Sequence, residues 1–237
     1  MAIDKTAVIG FPVDHSLSPI IHNHWIKELA LDIKPYEKLN VDPNMFKEQI
    51  NNLKAEGFGG INVTVPLKEL AFNISDETSN VSKKLRSANT LTLSSDKINA
   101  DNTDAVGFIN SLDKKTIEEN ITNKKTLVLG AGGSARSVVH ALNELGSQVR
   151  LFNRTPEKAA ILLNDLSINS SPVSTEELDD YANSSSFIVN TTSLGQKEGE
   201  HNNILSFENI GMETFIYDLI YNPCLLYTSD AADETGR

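Results

Sequence analysis

The stretch "TLVLGAGGSARSVVHALNELG" limits the fold more than any other part of this chain. An apolar run meets Gly130, Gly132 and Gly133 without a polar spacer, and a helix-periodic pattern follows at once. Missing side chains let the backbone turn tightly there. The helix that follows presents unpaired N–H groups and the positive end of its dipole. A buried strand entering a helix this way is the first half of a βαβ unit, which implies a parallel sheet. The spacing G-x-G-G-x-A is close to the fingerprint that receives a pyrophosphate. Gly130, Ala131, Gly132, Gly133, Ser134 and Ala135 are therefore candidate cofactor-binding residues; a tight strand–helix turn with no ligand is the other reading. Arg136 follows them and either reaches a phosphate or is solvated.

The next strand, "QVRLFNRT", carries Asn153, Arg154 and Thr155 at its end. An acidic residue there would accept from ribose hydroxyls and repel a 2′-phosphate. A guanidinium pairs bidentately with that phosphate, and a threonine hydroxyl can donate to it. The composition of this strand end points to NADP rather than NAD, against the alternative of a solvated arginine ahead of a helix N-cap at Thr155.

The rest of the chain alternates in the same way. "TAVIGF", "YEKLNV" and "GGINVTVP" read as strands. "SPIIHNHWIKELAL" reads as a helix with Ser18 as N-cap and Pro19 in the first turn, and "PNMFKEQINNLKAEG" as a helix ended by Gly57. "ANTLTLSSDKINADNTD" reads as a β-hairpin turning at Ser-Ser-Asp. "SLDKKTIEENITNKK" is polar and marks a junction. Beyond the glycine turn and "QVRLFNRT", "PEKAAILLNDL" is a helix and "SSFIVNTTSLG" and "TFIYDLIYNP" are strands. The expected fold is α/β in two domains: residues 1–104 with a mostly parallel sheet, and residues 105–223 of Rossmann type.

The 237 residues carry a net charge of −11, which disfavours nucleic acid and anionic membrane as partners while leaving a local basic pocket open to a small anion. A single cysteine allows no internal disulfide and suits a reducing cytoplasm. The start "MAIDKTAVIGF" lacks a signal-peptide pattern, and no apolar run has membrane-spanning length. The five histidines have no metal-ligand spacing, so no metal is expected.

Polar residues cluster around the strand ends of the first domain. Ser16 and Ser18 lie one residue apart, and capping accounts for only one of them. Thr64 and Lys68 flank Pro66 beyond a buried strand, where open α/β sheets bind ligands. Lys68 by itself is either an acid/base or a solvated charge; Asn89, Asn102 and Asp104 by themselves are ordinary turn residues.

Eight segments in this order, "VIGFPVDHSLSPIIHN", "GINVTVPLK", "ANTL", "DNTDAVGF", "LGAGGSAR", "NRTPEKA", "NTTSLG" and "YDLIYNP", resemble the shikimate dehydrogenase family from Thr6 to Pro223. The resemblance implies reversible, NADP-dependent hydride transfer between shikimate and 3-dehydroshikimate, a step of aromatic amino-acid (chorismate-pathway) biosynthesis. It implies that Lys68 and Asp104 are the proton-transfer pair, that Ser16 and Ser18 bind the substrate carboxylate, and that Thr64, Asn89, Asn102 and Tyr221 line the substrate. It adds Thr192 of "NTTSLG" to the cofactor residues. His15 shapes the loop without transferring the proton. Quinate as a further substrate, NAD as a further cofactor, and a truncated non-catalytic NADP-binding fragment are the alternatives. A cytoplasmic monomer or homodimer is expected. The resemblance stops after Pro223; residues 224–237 read as an atypical tail in place of the family's final helices and their glutamine. Loss of those helices is expected to expose apolar surface on the first domain and to lower stability and activity.

Overall fold

The computed structural model describes residues 4–192, 204–205 and 210–220. The tail and Tyr221 lie outside the described residues. The chain divides into two compact units, Met1–Thr103 and Asp104–Arg237.

The first unit is an α/β layer on a mixed sheet. Strands β1 (Lys5–Gly10), β2 (Glu37–Asn40) and β3 (Phe58–Val63) pair in parallel around β1, with helices α1 (Ser18–Glu28) and α2 (Phe46–Ala55) as their crossovers. Next come α3 (Lys68–Ile74), the two-residue β4 (Glu77–Thr78) and α4 (Asn80–Leu85). The hairpin read from sequence is β5 (Thr90–Leu93) and β6 (Ile98–Asp101), closed by the Ser94 N–H donating to Lys97 O at 2.9 Å. β5 runs antiparallel to β3, giving the order β2-β1-β3-β5-β6-β4. Side-chain alternation splits β1 between two layers. Ala7 and Ile9 enter the large cluster with Phe46, Ile50, Ile61, Leu67 and Leu91, while Val8 packs with Val13 and Tyr36. Helix α1 buries none of its residues, and Ile20, Ile21, Trp25 and Leu29 are exposed.

One helix start differs from the sequence reading. Ser18 is the first residue of α1 rather than its N-cap; Leu17 holds the cap position, with no side-chain cap bond. The hydroxyl serving the helix entrance is that of Ser16, whose Oγ accepts from the Ser18 N–H at 3.3 Å. Pro19, which has no N–H to satisfy, fits either register.

The second unit opens with α5 (Asp104–Asn110). The polar stretch after it forms α6 (Lys114–Thr116) and a wider helical turn over Ile117–Ile121, anchored by the buried Ile121. Strands β7 (Lys125–Leu129) and β8 (Gln148–Phe152) are joined by α7 (Gly133–Glu144). Helices α8 (Pro156–Asp165) and α9 (Leu178–Ser184) lead to β9 (Phe187–Asn190), and β10 (Phe215–Asp218) follows. Among the described residues its four strands are parallel, in the order β10-β9-β7-β8. The chain builds β8 on one side of β7 and β9 on the other, so the end of β7 is a topological switch point. No helix among the described residues is long and apolar enough to cross a membrane.

Candidate active site

In the first unit three of the substrate residues read from sequence, Thr64, Asn89 and Asn102, gather at one edge of the sheet. β5 is antiparallel to β3 and β6 antiparallel to β5, so the ends of β1, β3 and β6 and the start of β5 share that edge. Thr64 follows β3, Asn89 precedes β5, and Asn102 follows β6. Backbone bonds stitch the edge together: Thr64 N–H to Ile9 O at 2.9 Å, Val63 N–H to Asn89 O at 2.8 Å, Asn89 N–H to Asp101 O at 3.0 Å and Ala88 N–H to Lys68 O at 2.9 Å.

The side chains there are held before any ligand arrives. Asn102 is 3% exposed and donates through Nδ2 to Ser87 O at 3.1 Å. Asn89 donates to Thr103 Oγ1 at 2.9 Å, and its Oδ1 accepts from the Thr103 N–H at 3.0 Å and the Thr90 hydroxyl at 2.9 Å. Ser16 is buried, with its N–H on Val13 O. Lys68 opens α3 and is 9% exposed, an unusual depth for a lysine. His15 is exposed. Gly10, at the end of β1, admits Thr64: a Cβ on Gly10 would sit 2.6 Å from Thr64 Cγ2. Sequence reading missed Gly10, which carries no chemistry of its own.

In the second unit the glycine turn sits at the switch point. Gly130 has φ +101°, and a Cβ there would lie 2.8 Å from Thr191 Oγ1, so both backbone and space demand glycine. Gly132 caps α7, and a Cβ added to it meets no protein atom within 4 Å. The turn is therefore tight beneath and open above. The first turn of α7 carries no acidic residue, and its N–H groups precede the first intrahelical bond, from Arg136 N–H to Gly132 O. That arrangement fits an anion. At the end of β8, Asn153 Nδ2 donates to Thr155 O at 2.8 Å, and Arg154 and Thr155 are exposed. Thr155 caps α8 without a side-chain bond.

Arg136 departs from both sequence readings. It is buried, and its Nη2 lies 2.9 Å from Asp165 Oδ2, which ties α7 to α8. Asp104, Gly107 and Phe108 of α5 line a cavity of about 190 Å³ with Ser134, Ser137 and Val138 of α7, Tyr217 of β10 and Leu219 just after it. Tyr217 Oη lies 2.8 Å from Ser111 Oγ, and its ring meets Phe108 edge-on. Thr192, at the end of β9, donates its N–H and hydroxyl to Asn190 Oδ1 at 3.0 and 2.8 Å. No group of three or more metal-ligating side chains occurs among the described residues.

Two family models match in chain order. "Shikimate dehydrogenase substrate binding domain" covers residues 8–91, and "Shikimate / quinate 5-dehydrogenase" covers residues 111–219. The NADP+ shikimate dehydrogenase of Pelagibacter ubique is 39% identical, over 91% of this chain and 78% of the relative. The chain belongs to the shikimate dehydrogenase family. Among solved structures, shikimate dehydrogenase from Aquifex aeolicus superposes with a TM-score of 0.86 at 36% identity, covering 99% of this chain and 84% of that one. The Thermus thermophilus shikimate 5-dehydrogenase, solved with NADP(H) and shikimate, superposes with a TM-score of 0.82 at 29% identity over 99% and 85% of the two chains.

Within this family member, sequence reading also missed Asn190, Asp218 and Tyr217. Asn190 and Asp218 close strands β9 and β10, where their side chains bond to each other. The available signal was their position: each is the polar residue that ends an apolar strand on the ligand side of a parallel sheet.

Proposed function

We infer that this chain catalyses the reversible, NADP-dependent interconversion of shikimate and 3-dehydroshikimate. The observation that carries the reading is the family match in both halves of the chain, joined to retention of Ser16, Ser18, Lys68 and Asp104. The open turn at Gly132, the start of α7 without a side-chain cap bond and the exposed Arg154 suit a phosphorylated dinucleotide. When bound, NADP+ supplies the hydride acceptor.

The chain's own groups do the rest. Ser16 and Ser18 receive the substrate carboxylate through hydroxyls and the free end of α1. Thr64, Asn89 and Asn102 bond the ring hydroxyls, because each buried hydroxyl needs a partner. Lys68 takes the alcohol proton in oxidation and returns it in reduction, and Asp104 orients the lysine and the reacting hydroxyl. Tyr221 joins the substrate side. Gly130 to Ala135 and Thr192 receive the pyrophosphate side of the dinucleotide, and Asn153, Arg154 and Thr155 its 2′-phosphate. Residues 1–104 serve the substrate and residues 105–223 the cofactor. The protein works in the cytoplasm as a monomer or homodimer.

The test is the rise in nicotinamide absorbance when the purified chain meets shikimate and NADP+, with quinate and NAD+ in parallel. Shikimate with NADP+ is expected to give the highest kcat/KM. Binding of NADP+ without turnover of any pair would overturn the reading in favour of a non-catalytic binding protein.

A further inference from the structure

We propose that Asp218 is a positioning residue for the dinucleotide site, acting through Asn190 on the Thr191–Thr192 turn; this rests on the dinucleotide reading above. Asp218 and Asn190 are partners in the register of β10 and β9, at their ligand-side ends. Asn190 Nδ2 lies 3.2 Å from both Asp218 carboxylate oxygens. An ionised carboxylate only accepts hydrogen bonds, so Asn190 must turn its NH2 toward it. Its Oδ1 is thereby aimed the other way, where it accepts both the N–H and the hydroxyl of Thr192. A reversed amide would set donor against donor at the Thr192 N–H. The charge at 218 thus fixes the sense of the Asn190 amide, and the amide fixes the turn.

That turn is the floor of the glycine loop. Thr191 donates its N–H and its hydroxyl to Leu129 O at 2.9 and 2.7 Å. A Cβ on Gly130 would fall 3.1 Å from Thr192 Cγ2 as well as against Thr191. The Ile220 N–H, 2.9 Å from Asp218 Oδ1, holds the carboxylate in place. Burial pushes the Asp218 carboxyl above its ordinary value, so the fold bears an electrostatic cost for a charge that simple packing does not require.

The experiment uses the full chain. Asp218→Asn should raise the calorimetric Kd and the KM for NADP+ about tenfold, the scale of one or two lost hydrogen bonds, with KM for shikimate changed less than about twofold. Combining Asn190→Asp with Asp218→Asn should restore NADP+ affinity. The acceptor-only group then faces Thr192 directly, while the amide at 218 donates to it and still accepts from Ile220. Unchanged NADP+ affinity in Asp218→Asn, an equal loss for both substrates, or no recovery in the double variant overturns the proposal. If circular dichroism shows Asp218→Asn unfolded, the double variant's affinity decides alone. A wild-type chain that binds NADP+ but does not oxidise shikimate refutes the enzymatic reading only, and the calorimetric comparison still judges the role of Asp218.

Discussion

The two sheet edges solve opposite problems. At the first, the candidate recognition groups are side chains: Thr64, Asn89 and Asn102 stand beside strand ends, Ser16 lies in the loop before α1, and the two asparagines are bonded to Ser87 and Thr103. At the second, recognition is written in backbone: Gly130 and Gly132 matter for atoms they lack. A polyhydroxylated ring is told from its analogues by matched donors and acceptors, each of which would be left unpaired by the wrong ligand. A pyrophosphate needs only N–H groups and proximity. The first edge should therefore fail by loss of chemical groups, and the second by gain of atoms.

The sharpest test of the first half of that contrast is Lys68→Ala, expected to lower kcat by at least about a hundredfold with a smaller change in KM for shikimate. A loss confined to KM would make Lys68 a binding group. At the second edge, Gly130→Ala forces a Cβ against Thr191 at positive φ and is expected to lower unfolding free energy by about 1–3 kcal/mol in denaturant titration. Gly132→Ala meets open space, so it should leave the unfolding midpoint near wild type and weaken NADP+. Equal stability losses at 130 and 132 would break the distinction between floor and roof. Arg154→Gln should cost roughly tenfold in kcat/KM with NADP+ and little with NAD+, which measures how much one exposed charge-assisted contact contributes.

The smallest effect expected concerns pH. Burial raises the Asp218 carboxyl, with the Ile220 N–H and the Asn190 amide opposing it. A carboxyl raised in the folded state adds stability below its unfolded value and loses it as pH climbs through the folded value. Thermal midpoints of Asp218→Asn should thus gain on wild type as pH rises from acid toward neutral. A variant that instead falls further behind wild type over that range would mean that the paired ion outweighs its burial.

The sequence was informative where one residue suffices to state a physical demand. The glycine turn, the hairpin at Ser94–Lys97 and the strands ending near Thr64 and Asn102 follow from local rules, and the structure places them so. It was misleading where the deciding atom came from elsewhere. Ser18 looked like a cap because it precedes proline, yet Leu17 holds the cap position and the Ser16 hydroxyl takes the Ser18 N–H. Arg136 looked free for phosphate or solvent because Asp165, 29 residues on, cannot be foreseen beside it. Asn190 and Asp218 meet only through sheet pairing, so no spacing along the chain announces them. The sheet order was equally hidden, since the antiparallel β3–β5 pairing depends on a hairpin inserted between parallel crossovers.

Thr64 keeps its methyl only because position 10 has no carbon to meet it. Two residues 54 places apart in the chain therefore constrain each other: a carbon added at 10 collides first with the Thr64 methyl, and even beside Thr64→Ser it would press on Val65 O at 3.2 Å and Val13 Cβ at 3.3 Å.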